Sequence, residues 1–218
     1  MEQQLLFLIN REWTNPALDL FMAAMSSFDL WLWPVVAIGA GILFFGGFKA
    51  RAMLVAIAIT VVFADSIVCH SLKKIVARPR PNEILANVRI VDLHHIKPRV
   101  LALFKQAKVK MSRPMEGQIA GRSFPSSHTV NNFCAAVIIT AFYRRWGWLY
   151  FVPASLVAYS RIYVGSHWPS DVVISIFLGF GLAMLLLSAL EFLWRKMGGR
   201  VMPKTHATHP GLFANTTA

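Results

Sequence analysis

The sequence predicts an all-α integral-membrane bundle of five transmembrane helices, or six if residues 14–28 also cross, with an N-terminal interfacial helix and one outward loop. Three observations predict it. Hydrophobic residues make up 56% of the 218 and charged residues only 15%, far too little charge for a soluble domain of this length. The apolar residues are gathered into long, nearly uninterrupted segments. Trp31, Trp33, Trp146, Trp148, Trp168 and Trp194 fall near the segment ends, where an aromatic belt meets the lipid headgroups.

Residues 1–30 read as an N-terminal interfacial segment. Leu5 to Ile9 is too short for a signal-peptide core and Glu2 stands where a positive charge is expected, so insertion is expected to rest on internal spans. Thr14-Asn15-Pro16 gives a capped helix start, and Asp19 suits the helix N-terminal end. Leu18, Phe21, Met22 and Met25 make an apolar stripe too short to cross a bilayer, which favours an interfacial helix over a sixth span. The membrane domain then occupies residues 31–196. Trp31 to Phe48 is uncharged and gives about 27 Å of helix. Ala52 to Cys69 is interrupted only by Asp65. Val130 to Tyr143 and Gly147 to Ser160 are shorter and span only if the bundle shelters their polar flanks. Val172 to Trp194 is the longest segment. Residues 82–124 form the one long connection, read as an extracytoplasmic loop that is functional or mobile. Within it, Ile84 to Leu93 is apolar enough to fold back on the membrane, and Pro98 to Lys110 is patterned as a basic amphipathic helix. Residues 197–218 are polar and read as a disordered cytoplasmic tail.

The formal net charge of +12 calls for an anionic partner. Membrane lipids or a phosphate-bearing substrate fit; nucleic acid fits poorly, because the basic residues sit between apolar runs. If segment ends alternate sides, Lys49, Arg51, Arg144, Arg145, Arg195, Lys196, Arg200 and Lys204 share one side and should be cytoplasmic. The opposite side is basic too, with Lys73, Lys74, Arg78, Arg80, Arg113 and Arg122. A phosphate site facing outward accounts for that excess; an ordinary loop does not. Cys69 and Cys134 lie in apolar stretches without metal-like spacing and read as small buried hydrophobes. His94 and His95 are adjacent, and His206 and His209 lie in the tail, so no metal-ligand set emerges.

Three short stretches lie at segment mouths on the outward side: Lys73 to Pro81, Ser123 to His128, and Ser160 to Asp171. Lys73 and Arg80 would stand two turns apart on a helix, but Pro79 and Pro81 break it and let Arg80 turn back. Arg161 adds a guanidinium fork suited to phosphate. Pro125-Ser126-Ser127-His128 reads as a loop entering a helix, with Ser127 as cap, so free backbone N–H groups face the anion. The result is an anion cage built without metal. Phosphoryl transfer also needs a nucleophile and a proton donor. Asp171, in the first turn after Pro169, is expected to accept from one ring nitrogen of His167 and leave the other to attack. His128 is then the acid, and later the base that activates water. Lys74 and Arg78 read as solvated or headgroup contacts, and Tyr163 and Trp168 as interface anchors. Asn131 and Asn132 are expected to bond between helices. For Asp65, a functional role and a structural hydrogen bond both stay open.

The pattern K-x6-R-P, P-S-x-H and S-R-x5-H-x3-D resembles the type 2 phosphatidic acid phosphatase (PAP2) superfamily. Here it is Lys73 with Arg80-Pro81, Pro125-Ser126-Ser127-His128, and Ser160-Arg161 with His167 and Asp171. Ser127 stands where the family usually has glycine, and still offers its N–H. The resemblance covers residues 65–180 well and residues 1–30 poorly. It implies a helical membrane bundle with no cofactor and no required metal, a phosphohistidine at His167, and phosphate held by Lys73, Arg80, Ser126 and Arg161. It implies a membrane lipid phosphatase acting on a phosphate or diphosphate ester, inhibited by vanadate. By analogy the substrate is undecaprenyl diphosphate at the outer (periplasmic) face of the cytoplasmic membrane. Lipid A, phosphatidylglycerol phosphate and phosphatidic acid are alternatives, as is phosphate transfer to another lipid. A non-catalytic lipid-binding or transport protein is the competing class, and the presence of His128, His167 and Asp171 together argues against it.

Overall fold

The computed structural model describes residues 1–114 and 120–213. Helix α1 (Glu2–Phe7) runs into a wide turn over Leu8–Glu12. Helix α2 (Pro16–Ser26) starts as its sequence predicts: Asn15 Oδ1 accepts from the Leu18 N–H at 2.8 Å, and Pro16 sits in the first turn. Helix α3 (Phe28–Phe45) has no buried residue, and its Trp33, Ile38, Phe44 and Phe45 project outward. An apolar helix with a bare apolar surface belongs in lipid. Helix α4 (Phe48–Phe63) continues through a widened turn at Ala64–Cys69 into α5 (His70–Val76). There the helix stops on Ala77 at φ 47°, before Pro79 and Pro81, and the short α6 (Pro81–Ile84) follows. Helices α7 (Ser127–Phe142), α8 (Phe151–Tyr163) and α9 (Pro169–Val201) complete the bundle.

Among the described residues three helical runs are long and apolar enough to cross a bilayer: Phe28–Phe45, Phe48–Ile84 and Pro169–Val201. The other two expected spans are shorter, with 16 residues in α7 and 13 in α8. Of the two, α7 is the more deeply buried. Val130, Cys134, Ala136 and Ile138 of α7 are at or near zero exposure, and α7 lies closely on α9. A Cβ on Gly179 of α9 would stand 2.8 Å from the Val130 carbonyl oxygen, so glycine sets the distance between these two helices. Cys69 and Cys134 are both free and buried, as expected.

Three segments differ from expectation. The N-terminal segment is not simply laid on the interface: Leu6 and Asn10 are fully buried, and α2 packs Met22, Ala23 and Ala24 into the core with α8. A polar node holds it there. Asn10 Nδ2 donates to the carbonyls of Arg89 (2.8 Å) and Tyr163 (2.6 Å), while Asp19 accepts from the Arg89 guanidinium (2.7 Å) and the Tyr163 hydroxyl (2.6 Å). Tyr163, expected as an interface anchor, is thus a buried strut. These partners are 70 to 153 residues apart, beyond any local pattern. Second, the loop holds an antiparallel hairpin, β1 (Arg89–Asp92) with β2 (Lys108–Met111), and a 3₁₀ turn at Arg99–Phe104 in place of an amphipathic helix over 98–110. Alternating Lys108-Val109-Lys110-Met111 suits a strand, and Lys108 pairs opposite Asp92. Third, residues expected in a disordered tail extend α9 to Val201 and form α10 (Pro203–Thr208). Trp194 Nε1 donates to the His209 carbonyl at 2.8 Å and Phe213 packs edge-on against Phe142, so this end folds back on the bundle. Residues 214–218 of the expected tail lie outside the described residues.

Candidate active site

The C-terminal ends of α5 and α8 and the N-terminal ends of α7 and α9 meet at one end of the bundle, and bring the three sequence stretches together there. Lys73, at the end of α5, donates from Nζ to Ser127 Oγ at 2.7 Å. Ser127 is therefore the first residue of α7 and a lysine partner; the cap position is Ser126. Ser126 is fully buried, with its N–H given to Ser175 Oγ (2.8 Å) and its Oγ accepting from Thr129 (3.0 Å). The amides at Ser127 and His128 occupy the first helical turn, where intrahelical acceptors run out. Lys73, Arg80 and Arg161 all lie within electrostatic reach of the His128 ring, as does Asp65. The Arg161 side chain comes from α8 and is 9% exposed. Its Nη1 is held by Ser26 at the end of α2, while its Nε is buried with no partner. An unpaired guanidinium N–H that deep is costly unless an anion completes it.

His167 is 3% exposed. Its Nδ1 lies 2.6 Å from the Ser123 carbonyl oxygen, which fixes the proton on Nδ1 and leaves Nε2 as the basic nitrogen. Burial holds the ring well below the usual imidazole range, and the Arg161 and Arg80 charges push the same way. The ring is therefore held uncharged, with a free lone pair on Nε2.

Asp171 does not bond to His167, contrary to expectation. As the third residue of α9 its carboxylate turns back to the Trp168 N–H (3.2 Å), and it takes Arg78 Nη1 on Oδ1 and the Ser123 hydroxyl on Oδ2, both at 2.5 Å. It reaches the histidine through Ser123, one residue removed. Arg78, expected as a headgroup contact, is the cation of that pair, and Glu2 is its second carboxylate at 2.8 Å. Trp168 is 8% exposed and donates to the Pro79 carbonyl at 2.9 Å, so it packs the mouth of the site. Asn132 accepts from the Tyr150 hydroxyl at 3.3 Å, as expected, whereas Asn131 Oδ1 is buried with no partner among the described residues.

Sequence reasoning therefore missed Ser123 as the histidine's acceptor, and Glu2, Ser26 and Ser175 altogether. Ser123 could have been suspected, since it lies two residues before the P-S-x-H motif. Glu2 meets Ser170 across 168 residues, and nothing local announces it. Among the described residues no three His, Cys, Asp or Glu side chains group as a metal site would need.

A family model described as the PAP2 superfamily matches residues 50–195. The chain is 31% identical over 170 residues to the lipid A 4'-phosphatase of Bacteroides thetaiotaomicron, covering 76% of this chain and 66% of that protein. It is 39% identical over 64 residues to an undecaprenyl-diphosphatase of Sulfolobus acidocaldarius, covering 29% of this chain and 31% of that one. It thus spans less than two thirds of either relative. The crystal structure of Aquifex aeolicus LpxE has the same fold, with a TM-score of 0.59 at 24% identity over 86% of this chain and 94% of that chain.

Proposed function

The chain belongs to the PAP2 superfamily, and from that premise we propose that it is a lipid phosphatase of the cytoplasmic membrane whose site faces outward. The observation that carries this is the buried, Nδ1-anchored His167 set against an unpaired Arg161 Nε within one cationic cage. Lys73, Arg80 and Arg161 hold the non-bridging oxygens of the phosphoryl group, with the first-turn amides of α7 and the Ser126 hydroxyl completing the cradle. His167 Nε2 attacks phosphorus, the bond from phosphorus to the leaving oxygen breaks, and His128 delivers a proton to that oxygen. His128 then takes a proton from water, whose oxygen attacks the phosphohistidine and frees inorganic phosphate and His167.

Two lipid substrates have separate support. Undecaprenyl diphosphate is supported by the Sulfolobus relative's name. Lipid A follows from the broader match to the Bacteroides protein. A groove of about 660 Å³ supports a lipid chain in either case. It runs between α2, α3 and the 99–104 turn, lined by Phe21, Met25, Trp31, Val100 and Leu103, and Met25 is the sequence neighbour of Ser26, which touches Arg161. The test is phosphate release by purified protein in detergent from undecaprenyl diphosphate, lipid A, phosphatidylglycerol phosphate and phosphatidic acid. One of these should exceed the others by at least tenfold in kcat/KM. Release from none of them, with lipid bound unchanged, would establish the non-catalytic reading instead.

A further inference from the structure

Arg78 stands between two carboxylates. Its Nη1 donates to Asp171 at 2.5 Å and its Nη2 to Glu2 at 2.8 Å. Glu2 also accepts from the Ser170 N–H at 3.1 Å and from the Ser170 hydroxyl, next to the residue that begins the chain to His167. From there the links run Asp171 to the Ser123 hydroxyl, and the Ser123 carbonyl to His167 Nδ1. Glu2 and its helix lie outside the family-matched region, which begins at residue 50.

We propose that Glu2 is a positioning residue for phosphoryl transfer, acting on His167 through Arg78, Asp171 and Ser123; this rests on His167 being the nucleophile. Two physical effects combine. Glu2 and Asp171 grip opposite arms of one rigid guanidinium fork, so Arg78 cannot swing and Asp171 keeps Oδ2 on Ser123. Charge is the second. Attack by Nε2 leaves a positive imidazolium, phosphorylated on Nε2 and protonated on Nδ1. Arg78 alone would neutralise the single carboxylate behind it. With Glu2 ionised the trio keeps one net negative charge, which favours that imidazolium. Burial opposes ionisation of Glu2, but the Ser170 and Arg78 contacts outweigh it and hold the carboxyl below the usual range. Leu6 on the same helix is fully buried, so α1 has an apolar anchor besides this pair.

The test compares Glu2→Gln, Glu2→Asp and Leu6→Val in the full chain, purified in detergent, with 2,4-dinitrophenyl phosphate as probe. Glu2→Gln should lower kcat about tenfold, the scale of coupling within one hydrogen-bond network, with KM within about twofold. Glu2→Asp, which keeps the charge on a shorter arm, should recover part of that loss. Leu6→Val loosens the same helix without touching Arg78, and should lower Tm while leaving kcat nearly unchanged. Wild-type kcat in Glu2→Gln overturns the proposal, and so does a kcat loss that merely tracks Tm as in Leu6→Val. The two readings fail separately. A wild type that traps no phosphohistidine removes the nucleophile assignment, whereas equal trapping rates in wild type and Glu2→Gln remove only the role of Glu2.

Discussion

His167 is kept neutral by its surroundings, and that has a measurable cost in acid. Burial comes first, then the Arg161 and Arg80 charges, and together they put its folded pKa well below that of the unfolded chain. Between the two values the unfolded state binds the extra proton. The histidine's stability contribution is therefore full above about pH 6.5 and falls away as pH drops below it. In detergent, wild-type Tm should decline from pH 7 to pH 5 more steeply than that of His167→Asn, which keeps a donor for Ser123 but cannot titrate. Parallel curves would mean the ring is not held neutral. At this scale the sequence was informative about residue types and poor about partners. Lys73, Arg80, Ser127, His128, Arg161 and His167 could all be picked because each lies in a short motif at a segment mouth. The Asp171 link could not, because the carboxylate's direction depends on the first turn of α9 and on Arg78, which come from segments that sequence pattern treats separately.

The elements are tied at two glycines, each for a different reason. Gly165 lies between Tyr163 and His167 at φ +74°, and a Cβ there would stand 2.6 Å from the Arg89 carbonyl and 2.7 Å from Val88. The hairpin base thus presses directly on the loop that carries the histidine. Gly165→Ala combines left-handed strain with a backbone clash, and should cost roughly 2–4 kcal/mol of stability and displace His167. Activity should fall at least tenfold even at temperatures where the variant remains folded; full activity in a folded variant would show that the hairpin does not set the loop. Gly179, by contrast, is helical and only lets α7 and α9 approach. Helix positions and the Asn15-Pro16 and Pro169 starts were legible from apolar runs and caps, which are local properties. The hairpin was not, because strand pairing between residues 89–92 and 108–111 depends on what the loop packs against.

For the whole molecule, the site end and the Lys49, Arg51, Arg144 and Arg145 end lie at opposite ends of the bundle, and in the proposed orientation the site is outside the cell. In a variant lacking Cys69 and Cys134, a single cysteine at exposed Lys110 should react with an impermeant reagent in intact cells, and one at exposed Arg145 only after lysis. The opposite pattern would invert the protein. The class of the fold was readable from composition and segment length. The burial of residues 1–26 was not, since Asn10 and Asp19 look like surface residues until Arg89 and Tyr163 are folded onto them. All of this structure serves one chemical assignment, and trapping of labelled phosphate under non-acidic quench tests it most directly. His167→Ala should form no phosphoenzyme. In His128→Ala, release of a lipid alcohol should slow by about 10²–10⁴-fold. A dinitrophenyl leaving group needs no proton, so with that probe label should accumulate on His167 of the His128→Ala variant, because water is no longer activated. Label trapped in His167→Ala, on His128, would contradict the account and exchange the two roles.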